Sequence, residues 1–518
     1  MKSLWHQLTL LTLSLWHQLT LSALPLWHQL TLSTLSLHQW RSASYLHGLL
    51  RPLRRWRQSS FMLQWGDFIG AAFVCLVFAI APFVSDDKSS LAVLLAACAG
   101  FWVLLTLSDG DDSSEQAVGN QAETTRSPQR WQNWLNPSRS PLATPIHFMV
   151  VLYWGVSAAA TALSPVKRAA FTGLSKLTLY LILFALMARV LRSPRVRSWV
   201  TGIYLHAALL VSCYGIQQKT FGVKALATWV DPTSPSAKEP RVYSYLGNPN
   251  LLAAYLLPAI ALSLVAFFVW RRKGPKLLAI TMVIANSACL YYTGSRGGWI
   301  GFAAMIFILL VLLLHWWSVY LPRFWRTFAL PTVLGASIAV IVLAVLLVAP
   351  LRDRASTVFV GRQDSSNNFR INVWMSVLEM IRDRPILGIG PGNVAFNSIY
   401  PYYQRPRFSA LSAYSIPLEI AVETGIIGLT CFVWLLLVTF NIGWQQLQRL
   451  RATRDLDGFW LMGAIATLVG LLSHGLVDTV WYRPQINTLW WLMIALIASY
   501  YTLPTETKED VSKTEVRV

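Results

Sequence analysis

Long apolar segments constrain the fold of this chain more than any other feature of its sequence. A helix needs about 20 mostly apolar residues to cross the hydrocarbon core of a bilayer. Segments of that kind occur at 67–84, 89–107, 145–163, 171–190, 198–215, 250–270, 276–293, 298–317, 329–349, 416–440, 459–477 and 485–503. Because helices satisfy their own backbone hydrogen bonds in lipid, these runs predict an all-α polytopic membrane protein with about 12 transmembrane helices.

Two of these segments are weaker than the others, so the predicted number of spans is 10–12. The fourth segment contains Lys176, and polar residues interrupt the fifth. Charged residues make up 13% of the 518 residues, against roughly a quarter in an average soluble protein. This composition excludes a soluble globular domain and a disordered chain.

The distribution of Lys and Arg predicts the orientation in the membrane, because cytoplasmic loops carry an excess of both. The basic connections contain Arg189, Arg192, Arg195, Arg197, Arg271, Arg272, Lys273, Lys276, Arg323, Arg326, Arg449, Arg451 and Arg454. They all fall on one side, which places both termini in the cytoplasm. We expect a plasma or inner membrane, with the thylakoid membrane as the alternative.

The net charge of +20 therefore reflects loops that face anionic lipid. No basic patch alternates with exposed aromatic residues, as it would in a nucleic-acid-binding protein. The five cysteines lie in apolar runs and form no CxxC or Cys/His spacing, so we expect no metal and no cofactor.

The whole chain divides into four parts. Residues 1–36 repeat LWHQLTL with a period of eleven, and residues 37–66 form a basic segment that we expect in the cytoplasm. The transmembrane domain spans 67–503 and has one large outer loop, 351–415, between spans nine and ten. Residues 504–518 form a charged cytoplasmic tail. The repeats are interpreted either as expanded DNA ahead of a start codon assigned too early, or as a peripheral interfacial segment.

With this orientation, unusual polar residues collect at the outer face. Arg241 precedes span six in a segment that ends Gly-Asn-Pro-Asn, where Asn250 is expected to cap the helix. Arg296 lies between glycines in the tight turn between spans seven and eight. An arginine in either place is suited to holding an anion.

The outer loop 351–415 contains a stretch with helical periodicity, in which Arg370 lies in the first turn. Its expected apolar side is formed by Phe369, Val373, Leu378, Met380 and Ile381.

The glycine-rich stretch 388–392 is interpreted as a tight re-entrant or surface turn, because no strand precedes it. Glu423, His474 and Asp478 lie at the outer ends of spans ten and eleven. Charges at membrane depth are costly and usually functional. We therefore assign anion or substrate binding to Arg241, Arg296, Arg370, Glu423, His474 and Asp478. The anion would be a pyrophosphate, a carboxylate or bicarbonate, since the guanidinium fork matches each of them.

Several short motifs resemble the O-antigen ligase and polymerase superfamily. They are Ser-Arg-Gly-Gly at 295–298, Asn-Phe-Arg at 368–370, Trp374, Gly-Ile-Gly-Pro-Gly at 388–392 and Glu-Thr-Gly-Ile-Ile-Gly at 423–428. This resemblance is strongest over about 280–435. Three other stretches, LRRWRQSS at 53–60, SAYSIPLE at 412–419 and HGLVD at 474–478, are similar to the cyanobacterial IctB family over about 37–503.

The two resemblances imply different functions. Members of the IctB family are described as bicarbonate transporters or inorganic-carbon accumulation proteins, and bicarbonate transport or accumulation is the first expectation. The ligase resemblance implies metal-independent glycosyl transfer from a polyprenyl-pyrophosphate glycan, with Arg241 and Arg370 on the pyrophosphate. The family's base histidine is replaced by Tyr414, which becomes the third candidate catalytic residue, and His474 could substitute if the fold brings it close. A non-catalytic membrane accessory protein is the third alternative.

Overall fold

The computed structural model describes residues 65–84, 90–108, 143–223, 241–347, 365–479 and 481–502, with residues 27, 29–32, 56, 60, 63 and 352. Its α-helices are α1 Gly66–Ile80, α2 Ser90–Ser108, α3 Pro145–Ala162, α4 Lys167–Val190, α5 Pro194–Phe221, α6 Pro249–Val269, α7 Lys273–Thr293, α8 Arg296–Trp317, α9 Arg323–Leu347, α10 Ser365–Asp383, α11 Asn393–Ile399, α12 Ile416–Thr453, α13 Asp457–Gly475 and α14 Pro484–Ser499. The described ranges contain no β-strand. The all-α polytopic fold is therefore confirmed.

Each predicted span coincides with a helix, and ten helices in the described ranges are long and apolar enough to cross a membrane. The helix at the ninth predicted span, α9, has a shorter described apolar part, Phe328–Ala339. The last helix, α14, has 16 residues. The charged tail 504–518 and most of residues 1–66 lie outside the described residues.

Helices α6 and α13 form the centre of the bundle. In the apolar stretch of each helix, about four fifths of the residues are buried, 78% in α6 and 83% in α13. Helix α8 packs closely along α13, because Gly301 leaves room for the backbone of Gly470. A Cβ atom at Gly301 would lie 2.7 Å from the Gly470 carbonyl oxygen. Small residues permit this close helix contact in membrane proteins.

The two ends of the bundle differ in charge. At one end, Arg189 bonds to Asp67 at 2.6 Å, and Arg197 pairs with Asp457 while its guanidinium covers the Tyr500 ring. The basic connections between α4 and α5, α6 and α7, and α12 and α13 are at this end. We call it the basic end, and we expect it to face the cytoplasm.

Helix α12 is longer than predicted and is broken near its start. Gly425 adopts φ 68° and ψ −170° inside it, which interrupts the helical hydrogen bonds. The outer-loop turn fills the interruption, because Ile389 donates to the Val422 carbonyl at 2.9 Å and Gly390 donates to the Glu423 carbonyl at 2.9 Å. These bonds satisfy backbone groups that lipid could not satisfy.

The turn 384–392 is therefore part of the bundle. The Ile426 N–H donates to the Pro385 carbonyl at 2.8 Å. The Ser164 hydroxyl, between α3 and α4, donates to the Ile389 carbonyl at 2.6 Å. The expected tight turn is found, and it is anchored on two sides.

The helix expected in the outer loop is found as α10, but one of its predicted apolar residues points outward. Val373, Val377 and Met380 are buried in a second core beneath the loop, whereas Leu378 is 54% exposed. Leu378 follows Val377 directly and so lies about 100° around the helix from it.

Replacing Gly425 by alanine should destabilise the protein. The new Cβ would lie 2.1 Å from the Ile386 carbonyl oxygen, at a positive φ. We expect the free energy of unfolding to fall by about 3 kcal/mol, measured by thermal unfolding in detergent. Gly155→Ala is the matched control, because Gly155 lies within a helix with nothing near its Cβ position. Equal stability of the two variants would contradict the role assigned to the break.

Candidate functional site

A polar network at the end opposite the basic end joins two of the predicted arginines. Arg241 Nη2 donates to Asn250 Oδ1 at 2.9 Å, and Asn250 Nδ2 donates to Asp478 Oδ2 at 2.6 Å. Arg370 Nη2 approaches the same Asp478 oxygen at 3.5 Å. Arg241 comes from the segment before α6, Asn250 from the start of α6, Arg370 from the outer-loop helix α10 and Asp478 from the segment after α13.

The segment that carries Arg241 is fixed by helix α5. Gln218 Oε1 accepts from the backbone N–H groups of Tyr243 and Ser244, at 3.1 and 2.8 Å. Ser244 has a φ of 51°, and its hydroxyl donates to the Val211 carbonyl at 2.6 Å. Arg241 Nε then donates to the Thr293 carbonyl at the end of α7, at 2.7 Å. Helix α5 thus holds the backbone that follows Arg241, and the end of α7 holds the Arg241 guanidinium.

The capping expectation for Asn250 was wrong. Asn248 is the N-cap of α6, because its side chain accepts from the N–H groups of Asn250 and Leu251. The side chain of Asn250 is therefore available for Arg241 and Asp478. Sequence reasoning missed its part in the network, although one asparagine suffices to cap a helix and the second needed another explanation.

Arg370 lies in the second turn of α10 and is held by bonds at its terminal nitrogens. Its Nη1 donates to the Ser366 hydroxyl, one turn earlier, at 2.8 Å. Its Nε is buried and has no hydrogen-bond partner in the described ranges. The contact with Asp478 is longer than an ordinary hydrogen bond. Arg370 therefore retains donor capacity that a bound anion could use.

His474 and Arg296 lie on facing elements. The His474 ring packs against the first turn of α8, where a Cβ atom at Gly297 would lie 3.5 Å from its Cδ2. Arg296 begins the same turn. Only 1% of His474 is exposed, and its Nε2 has no partner among the described residues. The side chain also interacts electrostatically with Asp478 and Arg370.

A small cavity adjoins His474. Its lining, from α12, α13, α14 and the segment between α13 and α14, is Ile416, Leu471, His474, Gly475, Trp481, Ile486 and Trp490. The cavity has space for about one water molecule, so it does not hold a sugar in this conformation.

Tyr414 lies close to the network but is chemically unsuited to accept a proton. Its ring contacts Phe369 edge to face, with centroids 5.3 Å apart. Burial raises the pKa of Tyr414 above its ordinary value, and the nearby charge of Asp478 raises that pKa further. At neutral pH the hydroxyl is therefore neutral.

Glu423 is not brought to the arginines. Its carboxylate lies near the Gly392 N–H and interacts with Glu419, while Glu419 accepts from the Ala413 N–H at 2.6 Å. Both acids thus lie against backbone beside the Gly425 break. Their placement indicates that they fix the outer loop, and an anion-binding role for Glu423 stays a prediction. Across the described ranges, no three His, Cys, Asp or Glu side chains are arranged to hold a metal ion.

Comparison with protein families shows that residues 281–433 match the O-antigen ligase family, over less than a third of the chain. Arg296, Arg370, Tyr414 and Glu423 lie inside the matched region, whereas Arg241, His474 and Asp478 lie outside it. Compared with proteins of curated function, the chain has no match.

The match supports a place in the O-antigen ligase and polymerase superfamily, and it shows that residues 281–433 of this membrane protein are similar to O-antigen ligases. It does not extend to the IctB family, whose resemblance stays a prediction.

Replacing Asn250 by leucine should destabilise the polar network. Buried Asp478 would lose its shortest hydrogen bond, which we expect to lower the free energy of unfolding by about 1–3 kcal/mol. Asn248→Ser is the control, because serine preserves the cap of α6. Both would be compared by thermal unfolding in the same detergent. If Asn250→Leu unfolds at the temperature of the control, the network does not hold these elements together.

Proposed function

We propose that this protein transfers a glycan from a polyprenyl-pyrophosphate donor to an acceptor hydroxyl at the outer face of the membrane. The observation that carries the proposal is a network in which Arg370 approaches Asp478 directly and Arg241 is linked to Asp478 through Asn250. It lies in a membrane protein whose residues 281–433 match the O-antigen ligase family. Two guanidinium groups at one end of a helical bundle suit a lipid-linked pyrophosphate, whose lipid remains in the bilayer.

The two arginines have complementary tasks in this reaction. The acceptor oxygen forms a bond to the anomeric carbon, and the bond from that carbon to the pyrophosphate breaks. The leaving pyrophosphate takes the electron pair. Arg370 and Arg241 stabilise its growing negative charge, since donors fixed before the reaction need not reorganise. Arg241 is oriented by Thr293 and Asn250.

We assign the acceptor's proton to His474. Tyr414 stands in sequence where the family's histidine is expected, but its raised pKa keeps the hydroxyl protonated at neutral pH, so it cannot accept the proton. The buried Nε2 of His474 has no described partner, and a neutral imidazole nitrogen can accept a proton as a general base. Because the adjoining cavity is small, the proposal requires α13 and the segment after it to separate when the acceptor binds.

The comparison favours glycan transfer over bicarbonate transport. The family match concerns O-antigen ligases, and the polar network occupies one end of the bundle. Alternating-access transporters place their ion sites near the bilayer midplane. The bicarbonate expectation therefore depends on the sequence resemblance alone.

Arg370→Ala should abolish glycan transfer. With the donor's pyrophosphate no longer held, we expect turnover to fall at least 100-fold, measured with purified protein and a lipid-linked oligosaccharide. Arg370→Lys should recover part of the activity, because lysine retains charge without the bidentate fork. Arg382→Ala is the matched control, since Arg382 is an exposed arginine near the end of the same helix.

A flux assay in sealed liposomes separates the two functions, with wild-type protein compared with Arg296→Ala. Glycan transfer predicts no flux of labelled bicarbonate above empty liposomes for wild-type protein under any ion gradient. Bicarbonate flux that is lost on Arg296→Ala, with no transfer activity, would overturn the proposed function.

His474→Ala and Tyr414→Phe should have opposite outcomes. Tyr414→Phe retains the contact with Phe369 and should keep transfer within about threefold of wild type. His474→Ala removes the proposed base, and we expect a loss of 100-fold or more. The acid limb of the pH–rate profile should also disappear in His474→Ala. Full activity of His474→Ala would remove this residue from the mechanism.

A further inference from the structure

The connection between α6 and α7 carries four cations within six residues at the basic end. They are Arg271, Arg272, Lys273 and Lys276, and we call them the 271–276 cluster. The first three are exposed, and Lys276 is half-buried with its Nζ 5.2 Å from the centre of the Phe267 ring. Among the described residues, none of the four has an ion-pair partner. The positive charge of this connection is therefore not neutralised within the described part of the chain.

Other arginines at the basic end are neutralised inside the bundle. Arg189 bonds to Asp67, and Arg197 pairs with Asp457. Asp455, the third acid described at this end, accepts the backbone N–H of Asp457. The cluster differs from these arginines because it is exposed and because the described acids of its own end are engaged elsewhere.

Helix stability does not explain cations in this place. Arg272 is the N-cap of α7, and Lys273 is its first residue. The helix macrodipole puts positive partial charge at the N-terminus, so cations in the first turn are unfavourable. The orientation of the chain does not require them either, because the other connections at this end are also basic. A bound anion would offset both the dipole penalty and the repulsion among the four cations.

Aromatic side chains place the cluster at the depth of the lipid headgroups. Trp270 is half-buried and directly precedes the cluster. Phe268 contacts Trp317 of α8 edge to face, with centroids 5.3 Å apart, and stacks on Phe459 of α13 at 5.0 Å. Tryptophans near the ends of spanning helices lie at the membrane–water interface. The four cations are therefore level with the phosphates of the adjoining leaflet.

An apolar stripe on α7 continues from the cluster toward the middle of the membrane. Leu277, Ile280 and Ile284 follow at spacings of three and four residues, which places them on one side of the helix. They are 66%, 41% and 64% exposed. Exposed positive charge above an exposed apolar stripe matches a molecule with an anionic head and an acyl chain. A soluble anion would use only the charge.

We propose that the 271–276 cluster binds the phosphate of an anionic phospholipid, whose acyl chain lies along the apolar stripe of α7. The two guanidinium groups donate hydrogen bonds to phosphate oxygens, and the two ammonium groups contribute positive charge. This inference goes beyond the proposed glycan transfer and does not depend on it, because the cluster lies at the opposite end of the bundle from Arg241 and Arg370.

Native mass spectrometry of the full-length protein in mixed micelles tests the proposal. Wild-type protein should retain phosphatidylglycerol in preference to zwitterionic phosphatidylcholine. In the double variant Arg271→Gln with Arg272→Gln, retention of phosphatidylglycerol should fall by at least about fivefold, because two cations near the phosphate are lost. Arg271→Lys with Arg272→Lys should recover most of the binding, since lysine keeps the charge.

The matched control is Lys167→Gln with Arg168→Gln. These two cations are also adjacent and exposed, but they lie at the start of α4, at the end opposite the basic end. A micelle exposes both ends of the protein to the added lipid, so the control measures non-specific attraction. It should retain phosphatidylglycerol as wild-type protein does.

Thermal unfolding provides a second measurement. Phosphatidylglycerol should raise the unfolding temperature of wild-type protein and of the control, because a ligand that binds the folded state stabilises it. The double glutamine variant should unfold at the wild-type temperature without added lipid, since the replaced side chains are exposed, and it should not gain stability when the lipid is added.

Three results would overturn the proposal. One is wild-type retention of phosphatidylglycerol by the double glutamine variant. Another is an equal loss of retention in the control, which would show non-specific attraction between cations and the micelle. The third is displacement of the lipid by an equal concentration of glycerol phosphate, which would assign the cluster to a soluble anion instead.

Discussion

The backbone bonds between the outer-loop turn and the break in α12 determine where the candidate site is built. A helix interrupted at Gly425 leaves carbonyl groups that lipid cannot satisfy, and Ile389 and Gly390 supply the missing donors. This exchange anchors the C-terminal side of α10 to the bundle. Arg370, near the other end of α10, is thereby carried to Asp478. The break in α12 is thus required for the loop helix α10 to bring Arg370 to the network at the end of the membrane-embedded helices.

The same constraint explains the acidic residues at the start of α12. Glu419 accepts the backbone N–H of Ala413, and Glu423 lies near the backbone N–H of Gly392. Ala413 and Gly392 lie on the two chain segments beside the break. Buried carboxylates need such donors. The Glu-x-Gly pattern therefore has a structural explanation. Its acid lies against the outer-loop turn, and Gly425 provides the positive φ at the break in α12. Arg241 and Arg370, which suit an anion, do not take part in these contacts. The position of Arg370 nevertheless depends on them, because they anchor the outer loop that carries α10.

Length and hydropathy were enough to predict the helical spans, because each depends mainly on its own composition. They were not enough for contacts between distant segments. Gly425 and Gly428 look alike in sequence, and only the approach of Ile386 selects Gly425 for the break. Asn248 and Asn250 could likewise both cap α6 as far as the sequence shows. Only the structure shows that the side chain of Asn250 bonds to Arg241 and Asp478 instead. The arginines were predictable because a charge near a membrane is costly, but Asn250, which links Arg241 to Asp478, was not.

Asp478 gives the proposed reaction a means of releasing its product. One carboxylate near two guanidinium groups leaves the pair with net positive charge, so an incoming pyrophosphate is still attracted. The same carboxylate holds Asn250 at 2.6 Å and Arg370 at 3.5 Å, which makes the arginine the weaker partner. Arg370 can therefore turn toward a phosphate without breaking the bond that orients Asn250 and, through it, Arg241. In the proposed reaction we expect Arg370 to return to Asp478 when the lipid pyrophosphate leaves, so that the buried carboxylate regains its cationic partner.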